Sequence, residues 1–197
     1  MANTNAAFGF SPDGTVGGGT PNFRLSRRLI ASNYGTKIFT GDAVSPTIST
    51  STGYIVQAAA TTTALAGIFM GCKYLSTSQG RQVWSQYWPG ADATGDVTAY
   101  VIDNPDAQFV VQAGGTAIPF AAMNQNVQLN VGTGNTLTGR SGMYVENPTT
   151  TATLPFTIVG FVQDPPGVNG TDITTAYNWV RVTFNNEIFR AGYLAIA

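Results

Sequence analysis

Hydrophobic positions divide this chain at about residue 26. Before it, "MANTNAAFGFSPDGTVGGGTPNFR" carries only Phe8, Phe10, Val16 and Phe23 as isolated apolar points among glycine, proline and small polar residues. After it come short apolar-rich runs in which no 3.6-residue period lasts three turns, the pattern of strands and not of helices. Ten runs read as strands: 27–31, 36–40, 53–59, 65–75, 81–88, 97–103, 107–113, 126–131, 156–163 and 178–185. Between them "NYG", "STSQG", "PGADATGD", "DNPD" and "DPPGVNGTD" supply the fixed or positive φ at which a chain reverses. The prediction is an all-β fold: a single β-sandwich or barrel-like body of about ten short strands over residues 26–190, an extended Gly-rich N-terminal arm over 1–25 and a C-terminal tail over 191–197.

Alternation assigns the faces. In the last run Val180, Val182 and Phe184 share a core side, while Tyr177, Trp179 and Arg181 share a side too aromatic for ordinary solvent. "FTIVGFVQ" is apolar on both sides, Phe156, Ile158 and Val162 opposing Val159 and Phe161, as in a strand buried on both faces or at a subunit contact. Cys72 alternates with Ile68, Met70 and Tyr74, which predicts a buried, inert thiol. "VIDNPDAQFVV" reads as a hairpin across an Asn-Pro turn. The arm's glycines make it costly to order alone, so its spaced phenylalanines predict docking on a partner, with a body that folds without it.

Composition narrows the function. Charged residues make up 10% of the chain, against roughly 25% in ordinary soluble domains. A surface so weakly charged resists association poorly, which predicts that it is covered. Nine basic and ten acidic residues, a formal net charge of -1, leave no electrostatic footprint for a nucleic acid. Histidine is absent, removing the commonest general base and metal ligand, and the single Cys72 permits neither an internal disulfide nor a thiolate zinc site. No run reaches the ~18 consecutive apolar residues of a membrane helix, and "MANTNAAFGF" lacks the basic-then-apolar order of a secretion signal. No membrane partner, no cofactor and synthesis in a cytoplasm are therefore expected.

Three stretches imitate functional motifs. "GTGNTLTGRSG", residues 132–142, looks like a phosphate-binding loop with Arg140 in place of lysine. Such a loop needs a helix opening at its end, and "SGMYVENPTTTATLPF" is broken by Gly142, Pro148 and Pro155 and rich in threonine. A mobile or tightly turned loop is the better reading, and with it the sole hint of an enzyme falls away. Asp92, Asp96, Asp103 and Asp106 lie close in sequence but match no calcium-loop spacing, and the last two are turn residues. In "WSQYWPG", Trp84 and Trp88 would share a strand face roughly 13 Å apart, suited to two sugar subsites or two contact points on a protein, but core packing is the favoured use. "NGT" at 169–171 fits a glycosylation acceptor but reads as a turn.

Several segments, in order, resemble a known family. "MANTNAAFGF", the following "GGG", "YGTKIFTGDAV", "GIFMGCKY", "YWPG", "AYVIDNPDAQFVVQA", "GTGNTLTGRSG" and "VTFNNEIFRAG" are similar to segments of the capsid cement, or decoration, proteins of tailed bacteriophages. The tail "RAGYLAIA" is longer than in that pattern. The resemblance implies a virion protein without an active site that binds the outer surface of an icosahedral shell, commonly as a homotrimer, and locks major capsid subunits together after synthesis in the host bacterial cytoplasm. Phe8, Phe10, Phe23, Arg24, Trp84, Trp88, Tyr177, Trp179 and Arg181 are then the candidates for contact with the capsid or another copy. The same composition would serve a head fibre or tail component, and Trp84, Tyr87 and Trp88 would serve a carbohydrate-binding β domain.

Overall fold

All ten apolar runs form strands in the computed structural model, which describes residues 2–21, 23–47, 52–163 and 170–189. They are β2 (Leu25–Ile30), β3 (Ile38–Phe39), β5 (Ile55–Gln57), β6 (Gly67–Leu75), the pair β7 (Gln82–Ser85) and β8 (Tyr87–Trp88), β9 (Val97–Ile102), β10 (Ala107–Gln112), β11 (Asn126–Asn130), β13 (Phe156–Phe161) and β14 (Trp179–Phe184). Three further strands, β1 (Ser11–Thr15), β4 (Ala43–Pro46) and β12 (Tyr144–Thr149), arise where the sequence predicted arm or loop. Among the described residues the one helical element is a 3-10 turn over Phe120–Ala122. The predicted tail, 191–197, lies outside the described residues, as does Asn169 of the "NGT" stretch.

The strands build two six-stranded sheets, ordered β1-β10-β14-β13-β11-β12 and β2-β9-β6-β4-β5 with β7 also on β6, and a ribbon of β3 and β8. Every pairing between them is antiparallel. The result is an all-β chain consistent with a β-sandwich body. One core lies on the inner face of the first sheet, where Phe109, Phe156, Val180, Val182 and Phe184 meet Ile68 and Ile102 of the second. The other lies on the opposite face of the second sheet, where Phe69, Cys72, Ala99 and Val101 pack with Ile38 and Trp88 of the ribbon. Adjacent residues of β6 and β9 thus face different cores, which requires strands apolar on both sides.

Two bulges correct the faces read from strict alternation. Between Ile158 and Gly160 the register of β13 shifts, and Phe161 turns inward beside Phe156 and Ile158 while Val159 and Val162 stay half-buried. An extra residue against one partner residue reverses every later side chain. The same device between Phe69 and Gly71 sends Cys72 and Tyr74 to the ribbon-side core, away from Ile68 and Met70.

The "DNPD" hairpin is also corrected. The turn forms, with Ala107 N–H donating to the Asn104 carbonyl at 3.0 Å. Its two strands nevertheless enter different sheets, β9 between β2 and β6 and β10 between β1 and β14. A local turn reverses the chain but does not choose which neighbours satisfy the strands.

The largest correction concerns the arm. Asn3 Nδ2 donates to the Asp172 carbonyl at 2.8 Å and to Thr175 Oγ1 at 2.9 Å. Ala6 N–H and the Thr4 carbonyl bracket the Gln112 amide at 3.0 and 2.9 Å, and β1 pairs with β10 along the sheet edge. Gly9, at φ +74°, lies so close to Ser141 and Gly41 that a Cβ would fall 2.4–2.6 Å from their atoms. Residues 3 to 16 are thus a strap woven into the body.

Candidate interaction surface

Strand register and the strap decide where the nine nominated side chains sit. Phe10 is in the first core, 1% exposed, stacked on Phe156 with centroids 4.3 Å apart. Trp88 is fully buried in the second, edge-on to Tyr74, its indole N–H donating to the Tyr34 carbonyl at 2.9 Å. These two are structural side chains and not contact points for a partner. Phe23 is half-buried against the first core, and Arg24 is exposed beside it.

Phe8, Trp179 and Arg181 come together. Phe8 meets Trp179 edge to face at 5.0 Å, and both line an open hollow of about 320 Å³ on the outer side of the first sheet with Asp13, Arg140, Val162 and Arg181. Arg181 Nε donates to Asp13 Oδ2 at 2.8 Å and its Nη1 to the Phe161 carbonyl at 3.0 Å. Tyr177 lies apart, at φ +62°, in a second hollow of about 200 Å³ with Asn5, Gln112 and Tyr144.

Trp84 is separated from Trp88 because the chain leaves β6 after Ser85 and passes to the ribbon. It stands 65% exposed on the side of the second sheet that carries Ile68 and Ile102, beyond the part covered by the first core, stacked on Tyr100 at 5.5 Å with 13° between the rings. Lys73 Nζ lies 5.0 Å from the indole centroid, and Arg27 pairs across β2 and β9 with Tyr100. Exposed Leu25, Leu29 and Leu75 continue the same face. Tyr100, Lys73 and Arg27 escaped sequence reasoning because a cross-strand neighbour is fixed by register, which no local pattern reveals.

The "GTGNTLTGRSG" stretch is a tight turn. Asn135 Oδ1 accepts from the N–H groups of Leu137 and Thr138 at 2.9 and 3.3 Å, its carbonyl accepts from Gly139 at 2.8 Å, and Ser141 N–H donates to the Thr40 carbonyl at 3.0 Å. The amides that a phosphate would need are turned to the loop's own acceptors. Its tip is Leu137, 95% exposed.

The four aspartates of 92–106 separate likewise. Asp92 accepts from Ser76 and Ser78, whose hydrogen bonds, the Ser78 amide foremost, hold its carboxyl below the usual value. Asp96 accepts the Tyr54 hydroxyl at 2.8 Å, which raises that phenol. Asp103 binds Ser26 and Arg28. Burial pushes the Cys72 thiol up to about 12, consistent with an inert core sulfur.

The chain matches no known protein family, no curated protein and no solved structure.

Proposed function

We propose that this is a structural virion protein, a cement that attaches to the outside of a phage's icosahedral shell and stabilises contacts between major capsid subunits. The observation carrying this reading is, among the described residues, a set of nine large hydrophobic side chains, 41% to 95% exposed, most of them on strands and turns. In a chain with only 10% charged residues, such a surface is poorly protected against association. The ordered run of segments resembling decoration proteins supports the same reading, and with it a homotrimer of copies made in the host cytoplasm. The role requires no cofactor, nucleic acid or membrane.

Add-back tests it directly. Shells assembled without this chain should take it up to a fixed occupancy on their outer surface in cryo-electron maps, and their melting temperature should rise. A chain that stays in the supernatant at every concentration, with unchanged shell melting, would overturn the proposal.

A further inference from the structure

We infer that the uncovered part of the second sheet's first-core side, centred on Trp84, docks onto a protein surface that offers carboxylates around an apolar recess; within the cement reading, on which this rests, that surface belongs to a capsid subunit. The face is built by register. Arg27 opposes Tyr100 across β2 and β9, Lys73 opposes both Thr98 on β9 and Trp84 on β7, and Leu29 opposes Thr98. An indole stacked on Tyr100 with a lysine beside it is held in one orientation before any partner arrives, so little freedom remains to be lost on binding. Its 65% exposure leaves a broad apolar surface to insert.

Charge selects the partner. Among the described residues neither Arg27 nor Lys73 forms an ion pair, whereas Arg28 and Arg181 are each matched to an aspartate. Asp96, two residues before Thr98, is engaged by the Tyr54 hydroxyl at 2.8 Å. Two unmatched cations flanking an aromatic anchor complement carboxylates on a facing surface. The three leucines of the face favour a protein over a sugar, since aliphatic side chains give a glycan's hydroxyls nothing to bind.

The test uses the full chain and shells assembled without it. Wild type, Trp84→Ala, the double reversal Arg27→Glu with Lys73→Glu, and Thr153→Ala, an exposed residue of the turn before β13, as a control outside this face are co-sedimented with shells at about 0.05 and about 0.5 M salt. Melting temperatures show that each variant is folded, as expected for exposed Trp84 and Arg27 and half-buried Lys73. Expected results are wild-type affinity for the control, at least about a tenfold loss for Trp84→Ala, abolition by the double reversal and weakening of wild type by salt. Folded variants that bind like wild type would overturn this face while leaving the cement reading intact. No binding by wild type would remove both. Trp84-dependent retention on host surface polysaccharide, with shell binding unaffected by Trp84→Ala, would overturn it in favour of a glycan.

Discussion

Phe10 shows how much one side chain decides. It lies against Phe109 and Phe156 in the first core although it precedes every run that the sequence identifies as a strand. Phe10→Ala should therefore lower the free energy of unfolding by about 3–5 kcal/mol, the cost of an aromatic cavity. Urea unfolding measures this, and a loss below about 1 kcal/mol would place the strap outside the cooperative core. Cys72 should react with a thiol reagent at about pH 8 only after denaturation, because its thiol is 1% exposed and pushed up to about 12. Labelling of the native protein at the rate of a free thiol would contradict that. Asp42 titrates against the fold: burial raises its carboxyl above the ordinary value of 3.8, despite hydrogen bonds from Phe39 N–H, Ser141 and Gln57. A raised acid favours the folded state only while protonated, so its contribution is lost as pH climbs from the ordinary value through the raised one. Asp42→Asn keeps an oxygen for Phe39 and Gln57, and its stability relative to wild type should improve from about pH 4 to about pH 7. An unchanged difference across that range would refute the titration.

At the scale of elements, the strap carries the sharpest expectation. Deleting residues 2–16 removes β1, the Asn3 and Gln112 hydrogen bonds and Phe10 together, and should lower the melting temperature by at least about 10 °C or prevent folding. Circular dichroism melts decide it, and an unchanged melt would restore the picture of a detachable arm. The sequence reading missed this because β1, "SPDGT", has no apolar residue; it is held by backbone pairing to an edge that Phe10 and Phe8 bring within reach. The ten other runs were legible because each alternates or is apolar enough to demand burial. The bulges at Phe69/Gly71 and Ile158/Gly160 were not, since a bulge is set by what the neighbouring strand needs and leaves no mark on composition. For the same reason Trp84 was visible as a candidate while Tyr100, Lys73 and Arg27, its cross-strand company, were not. The core reading holds for Trp88, but its contact role and its shared face with Trp84 do not, because two tryptophans four apart share a face only if the strand continues between them.

For the molecule as a whole, the question is whether two cores make one cooperative unit. Ile68 belongs to the first core and Phe69 to the second, and Ile102 and Val101 divide in the same way. Neither core can open without exposing one side of β6 and β9, the strands on which the other rests. Phe156→Ala in the first core and Phe69→Ala in the second should therefore each lower the midpoint of a single calorimetric transition, with calorimetric and van't Hoff enthalpies remaining equal. Such coupling also serves the proposed role: a cement gripping by the Trp84 face of one sheet transmits load to the Phe8–Trp179 hollow on the other only if the sheets do not part. Two resolved transitions, each moved by only one of the substitutions, would show that the sheets unfold separately and that strain applied at one face need not reach the other.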